Sequence, residues 1–394
     1  MNNFNFQNKT AIRFGKNVID TELHDAVAQF GQRVLLVYGG GSIKRSGLYD
    51  RVRTSLAGLE VIELADIAPN PKIASVRAGQ ALVKEHDIDV ILAVGGGSVI
   101  DAAKVIASSK FYDADPWDLV VDSSKRFAIA QLPVVDILTL SATGTEMNVG
   151  SVISNPETHQ KLGTGGPNSP AVSFLDPTLT FSVSPWQTAA GAIDIFSHLT
   201  EQYFDQAAND VTSGMMAGLY RAVIKNAPLA LANPDDYDAR AALMWASTMA
   251  LNGLVNVGNT NGWTVHPIEH ELSAYYDITH GVGLGILTPR WMQRSLSAAT
   301  QPRFAQFGRE VWGLTGDDAT VAQGAIQATF DWIKSLDVPT TLPGVGITDE
   351  THFDAMANSA VTVGHLDQDA YVTLQPQDVV ALFQAAMTDD GFVK

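Results

Sequence analysis

Residues 89–104 read DVILAVGGGSVIDAAK, and this stretch decides the fold. The run 89–94 is aliphatic and β-branched almost throughout, and it leads straight into Gly95-Gly96-Gly97-Ser98 and a helical pattern from about Val99. An apolar run without polar alternation marks a strand covered on both faces, as in parallel sheets. Glycines at the strand end let main chain come close to a pyrophosphate. The helix that follows offers unpaired N–H groups and the positive end of its dipole. Ser98 is placed to cap that helix and to donate to a phosphate. Asp101, one turn in, can bond a loop amide or a cofactor group. The run is neither the Gly-x-Gly-x-x-Gly fingerprint nor the Walker pattern, so from the residues alone a tight turn remains an equal reading.

The same alternation extends to either side. RVLLVY (33–38) is a buried strand ending at Gly39-Gly40-Gly41-Ser42, and VIEL (61–64) is another. Pro69-Asn70-Pro71 marks a loop, followed by a helical pattern through Val76, Ala81, Leu82 and Val83. FAIAQLPVVDILTL (127–140) carries two strand pieces, and AVSFLDP (171–177) the last. Strands alternating with helices predict an α/β layer with a parallel sheet. In such sheets the strand ends face the ligand crevice, and an acid there would bond ribose hydroxyls and repel a 2′-phosphate. Here the position is Gly39, with Ser42, Lys44 and Arg45 nearby, which leans toward NADP(H) over NAD(H). The loop TLSATGTEMN (139–148) is dense in hydroxyls. Thr139, Ser141, Thr143 and Asn148 are candidate partners of the cofactor, although such a run also serves as caps and Ser/Thr turns. Lys161, in a polar loop, is a further candidate.

After Pro185 strand signals fade. Stretches 211–227, 236–258, 301–337 and 377–388 have helical periodicity, the second ending at glycine. The expected division is therefore a Rossmann-like dinucleotide-binding domain over 1–183 and an all-helical domain over 184–394, with Asp176-Pro177 and Ser184-Pro185 as punctuation. Ser184-Pro185-Trp186-Gln187 opens the second with a capping-box pattern and proline at the first helical position. Asp194 and His198 follow four apart, on one helix face. The segment HPIEHELSAYYDITHGVG adds His266, His270 and His280. One carboxylate and three imidazoles suit a divalent first-row metal with an open position for substrate oxygen. An Asp-x-x-x-His pair alone is more often an ordinary side-chain pair.

The chain has 394 residues, a formal net charge of −17 and no cysteine. Its acidity argues against nonspecific nucleic-acid binding and anionic membranes. Disulfides, thiol nucleophiles and iron–sulfur clusters are excluded. The N-terminus shows no basic segment followed by an apolar core, and no apolar run reaches the length of a membrane span, so a cytoplasmic protein is expected.

Together these pieces resemble the iron-containing alcohol dehydrogenase family, in its butanol-dehydrogenase-like branch of NADP(H)-preferring alcohol dehydrogenases and aldehyde reductases. The resemblance runs from Phe14-Gly15-Lys16 to about Pro343 through YGGGSIKRSG, APNPK, GGGSVIDAAK, DPWDL, LTLSATGTEMN, LDPTLTF and HPIEHELSAYYDITHGVGL. It implies that Asp194, His198, His266 and His280 ligate one Fe(II) or Zn(II). It matches His270 to a histidine near the nicotinamide that does not ligate, a candidate for proton relay or for simple packing. It implies hydride transfer between NADP(H) and a primary alcohol or short-chain aldehyde, and a homodimer or larger oligomer. Trp263 and Tyr275 are candidate walls of an apolar substrate pocket. A dehydroquinate-synthase-like lyase of the same fold would need several Lys and Arg to grip a phosphorylated, carboxylated substrate, and few stand near the metal motifs. A two-His-one-carboxylate iron oxygenase has no use for a phosphate loop. A non-catalytic nucleotide- or metal-binding protein is the third alternative.

Overall fold

The computed structural model describes residues 1–260 and 262–392. Six strands form one parallel sheet: β1 (Ala11–Phe14), β2 (Arg33–Gly39), β3 (Glu60–Ile67), β4 (Val90–Gly95), β5 (Val134–Leu138) and β8 (Val172–Leu175), in the order β1-β8-β5-β4-β2-β3. A separate antiparallel hairpin joins β6 (Gly150–Asn155) to β7 (Gln160–Gly165). All six residues of β4 are buried. Its side chains alternate between two cores, Ile91 and Ala93 with Leu35 and Val37 on one face, Val90, Leu92 and Val94 with Val34 and Leu36 on the other. That is the period of two expected of a doubly covered strand, and it explains why 89–94 and 33–38 read as unbroken apolar runs.

From β2 the chain moves outward to β3 and then returns to the other side of β2 as β4. The order reverses between β2 and β4, and a ligand crevice opens at the carboxyl ends of strands at such a point. The loops after β2, β4 and β5, which are neighbours in the sheet, carry the two glycine runs and Thr139–Asn148.

Three strand expectations need correction. The 127–140 stretch yields one strand, not two. Its first part closes a short helix, Ser123–Phe127, and then turns where the Gln131 amide donates to the Arg126 and Ile129 carbonyls. The edge strand β1 and the β6–β7 hairpin were not expected. Lys161 lies in β7 rather than in a loop and is buried.

The chain divides into two compact units. One comprises Gln7–Val183 with Asp235–Asn252, the other Met1–Phe6, Ser184–Pro234 and the chain from Gly253 onward. The helix Tyr237–Ala250 thus belongs to the α/β unit, where the Thr248 hydroxyl donates to Glu146 Oε1 at 2.6 Å and Trp245 meets Phe14 edge-on. It stops at Ala250 instead of running to Gly258, and turns and bends follow. The second unit contains helices and no strand among its described residues. The 301–337 stretch is two helices, Gln301–Trp312 and Asp318–Ser335, because Gly313 takes the left-handed conformation at φ 68° and caps the first. No described helix is long and apolar enough to cross a membrane.

Candidate functional site

In the α/β unit the helix Gly97–Ser109 starts directly on the glycine run that ends β4. Its N-cap is Gly96 with no side-chain cap, so Ser98 does not cap it. The helix begins two residues earlier than the periodicity suggested, and Ser98 falls inside its first turn. The Thr139–Asn148 loop folds back onto this corner. Thr139 N–H donates to the Gly95 carbonyl at 2.9 Å. The Thr143 side chain occupies the space a Cβ at position 97 would need, with its Cγ2 2.6 Å from that point. Gly95, Gly96, Gly97 and Ser98 are therefore brought together with Thr139 and Thr143, while Ser141 lies between these two in the loop. Gly39 ends the adjacent β2, Gly40 and Gly41 follow it, and Ser42 opens the short helix Ser42–Arg45.

Asp101 and Asn148 are engaged within the protein. Asp101 accepts from the Thr145 hydroxyl at 2.6 Å and from Val152 N–H at 2.9 Å. Lys104 Nζ donates to Thr145 Oγ1, to the Asn148 carbonyl and side chain, and to the Gly150 carbonyl, at 2.7–3.1 Å. Burial raises the Asp101 carboxyl and pushes the Lys104 ammonium down to about 8, each opposed by the other's charge. Asp101 and Lys104 thereby tie the hydroxyl-rich loop and the hairpin to the helix Gly97–Ser109. The Lys44 ammonium lies over the rings of Tyr38 and Tyr49, whose hydroxyls donate to Glu63 at 2.7 and 2.6 Å.

The second site lies wholly in the helical unit. The helix Pro185–Tyr203 starts as its sequence dictates: the Ser184 hydroxyl accepts from Gln187 N–H at 3.2 Å, with Pro185 in the first turn. Asp194 and His198 project from one face of it. His266 is near the start of the helix Val265–Tyr276, and His280 is the first residue of the helix His280–Ser295. The three histidine Nε2 atoms stand 3.6, 3.7 and 3.8 Å from a single oxygen, Asp194 Oδ1. These spacings are too long for hydrogen bonds. A tetrahedral centre with bonds of about 2.0–2.1 Å separates its ligand atoms by about 3.4 Å; Asp194, His198 and His266 bring their ligand atoms within 4.8 Å of one another, and His280 reaches the same carboxylate oxygen from the next helix. Asp194 Oδ1 and His266 Nε2 are buried and make no hydrogen bond among the described residues. Burial pushes the Asp194 carboxyl up, but the charges of His198, His266 and His280 outweigh it and hold it well below the usual carboxylate range. Burial lowers His266, yet Asp194 and Glu201 prevail and raise it to about 9.

His270 is half-buried beside the cluster, its ring centroid 5.5 Å from His280 and 6.4 Å from His266. Trp263 packs edge-on to His266 at 4.8 Å, and Tyr275 lies against His352 at 5.0 Å. Two residues that the spacing argument passed over complete the cluster. Glu201 bonds His266 Nδ1 and Glu269 bonds His280 Nδ1. Glu201 was findable, because it lies seven residues after Asp194 on the face that carries His198.

The family model described as iron-containing alcohol dehydrogenase matches residues 9–177, and that of the Fe-containing alcohol dehydrogenase family C-terminal region matches 188–387. NADH-dependent butanol dehydrogenase A of Clostridium acetobutylicum is 45% identical, over 98% of this chain and 99% of its own length. The NADPH-dependent aldehyde reductase YqhD of Escherichia coli is 37% identical, over 88% and 90%. The crystal structure of NADH-dependent butanol dehydrogenase A from Thermotoga maritima superposes with a TM-score of 0.93 at 36% identity, covering 98% of this chain and 99% of that one.

Proposed function

The chain belongs to the iron-containing alcohol dehydrogenase family and is an NAD(P)-dependent oxidoreductase, and we propose that its reaction interconverts primary alcohols and short-chain aldehydes of the butanol and butanal type. Asp194, His198, His266 and His280 hold one Fe(II) or Zn(II), since three nitrogens and one oxygen accept either. The observation that carries this reading is the convergence of three Nε2 atoms on one buried carboxylate oxygen that makes no hydrogen bond among the described residues. When bound, the ion supplies Lewis acidity to the alcohol or carbonyl oxygen and the nicotinamide carries the hydride.

The chain's own residues orient and supply protons. His270, at the half-exposed rim, passes a proton between the substrate oxygen and solvent, a task suited to imidazole near neutral pH. Gly95–Ser98 and the start of the following helix take the pyrophosphate, and Gly39–Ser42 face the adenosine ribose. NADP(H) is preferred to NAD(H), because no carboxylate stands at 39–42 and Lys44 and Arg45 follow. The relatives carry both cofactors in their names, so the loop chemistry is the ground for this choice. A neutral substrate is favoured because Arg221, Arg290, Arg294, Arg303 and Arg309 of the helical unit are already bonded to carboxylates or main-chain carbonyls.

The test is anaerobic NADPH oxidation with butanal on metal-stripped protein, before and after Fe(II), for the wild type and Asp194→Ala. Turnover should appear only with metal and only in the wild type. Metal-independent turnover, or full activity of Asp194→Ala, would overturn the assignment.

A further inference from the structure

We propose that Glu201 and Glu269 are positioning residues of this centre: each takes the Nδ1–H of one histidine and so presents that ring's Nε2 to the ion. The inference rests on the metal site proposed above. Glu201 and Glu269 are 3% and 0% exposed. Glu201 Oε1 accepts from the His266 main-chain N–H at 2.7 Å and faces His266 Nδ1 at 3.1 Å, while Oε2 accepts from Thr264 N–H at 2.8 Å. A carboxylate that already accepts two main-chain N–H groups acts as an acceptor, so Nδ1 is the donor and Nε2 is the nitrogen left to face the ion. Glu269 Oε1 accepts from the Ser273 hydroxyl at 2.5 Å and Oε2 bonds His280 Nδ1.

Each carboxylate reaches from its own helix to the histidine of the next. Glu201, on the helix of Asp194 and His198, sets His266. Glu269, on the helix of His266, sets His280. Three helices are thereby braced around one point. Gly283 makes room for the second brace: a Cβ there would lie 2.8 Å from Glu269 Cγ and 2.9 Å from Oε1. Carboxylate partners of this kind fix the ring orientation and tautomer and raise ligand basicity.

The rival role for Glu201 is a helix cap, because Thr264 provides no side-chain cap to the helix it precedes. Glu269→Gln separates charge from shape. Its amide oxygen can accept from Nδ1–H and its NH2 can donate to Ser273, so the bonds persist while the charge is lost. The experiment loads full-length protein with Co²⁺ and records the visible spectrum and the rate of Co²⁺ transfer to excess chelator, together with thermal unfolding of the metal-stripped protein. Glu269→Gln should release Co²⁺ roughly 10- to 100-fold faster at an unchanged metal-free midpoint, and Glu269→Leu faster still with an altered spectrum. Wild-type rate and spectrum in both variants would overturn the role of Glu269. Glu201→Gln should also release faster; a lowered metal-free midpoint with a wild-type release rate would leave Glu201 a helix cap and overturn its part. Failure of a different kind, in which the wild type retains no Co²⁺ or Asp194→Ala retains it equally, would remove the metal site itself and this proposal with it.

Discussion

The α/β unit contains a carboxylic acid whose proton can be located by counting. Asp136 on β5 and Ser173 on β8 are directly paired in the sheet, and both are fully buried. The Ser173 hydroxyl oxygen lies 2.6 Å from Asp136 Oδ2 and 2.6 Å from the Glu146 carbonyl oxygen. A hydroxyl has one proton, and the carbonyl has none to give. Two short bonds through one oxygen therefore need a second proton, which only the Asp136 carboxyl can supply. Burial points the same way, raising Asp136 well above its ordinary 3.8, with the nearby Glu146 carboxyl adding to the shift and Lys104 opposing it.

Because the folded pKa is raised, the native state keeps a proton that the unfolded chain has lost. Stability from this group is fully present below the ordinary carboxylate pKa and declines as pH rises toward the folded value. In that window the slope is about 1.4 kcal/mol per pH unit for one proton. Asp136→Asn is neutral at every pH, and its Nδ2–H can donate to Ser173 in place of the acid proton. The substitution should remove about 1.4 kcal/mol per pH unit of this decline and leave the variant more stable than wild type at alkaline pH. Glu146, also raised by burial, would retain its own share of the slope. Thermal or urea unfolding from pH 5 to 9, compared between the two proteins, gives the measurement. An unchanged slope in a folded Asp136→Asn would refute the proton count, and the deduction of a neutral Asp136 with it.

Two shorter predictions address the helical centre and the cofactor loop. A Cβ at Gly281 would lie 2.7 Å from the main-chain carbonyl carbon of Ala190, so Gly281→Ala should cost about 1–3 kcal/mol and move His280 off Asp194, read as a lower unfolding midpoint and lower metal content together. Gly39→Asp should weaken NADPH more than NADH; the new Cβ would sit 3.3 Å from the Ile67 carbonyl, which needs only a small adjustment, so an unchanged ratio in a folded variant would reject the 2′-phosphate argument.

What the sequence revealed divides along physical lines. β2 and β4 were legible because both their faces are buried, and such strands read as apolar runs of the right length. The hairpin was not: GSVISN and QKLGTG bury Ser151, Ser154, Asn155, Lys161 and Thr164 beside Ile153, so hydropathy carries no strand signal. The edge strand β1 has four residues, and its pairing with β8 joins positions 161 residues apart, as in Ala11 with Val172. No local pattern encodes such a pairing. Asp194 and His198 were legible as a helical pair. That His266 and His280 join them is a tertiary fact, which the resemblance supplied and periodicity did not.

The segment HPIEHELSAYYDITHGVGLG is specific because several of its positions answer to one arrangement. His266 opens one helix toward Asp194, and Glu269 and Ser273 lie three and seven residues on, along the face that looks at the next helix. The turn at Asp277, left-handed at φ 50°, reverses the chain so that His280 begins that helix. Trp186 Nε1 donates to Thr279 at 3.0 Å and ties this start to the helix of Asp194. Gly281 lets the two helices approach until main chain meets main chain, and Gly283 leaves the volume that the Glu269 carboxyl fills. A buried carboxylate is costly unless paired, and this cluster contains three, at Asp194, Glu201 and Glu269. Each faces imidazole, and a divalent ion at the shared centre would offset the charge that remains. The glycines and the acidic residues of the segment thus serve the same end as its histidines, which is to bring three ring nitrogens to one oxygen at ligand spacing.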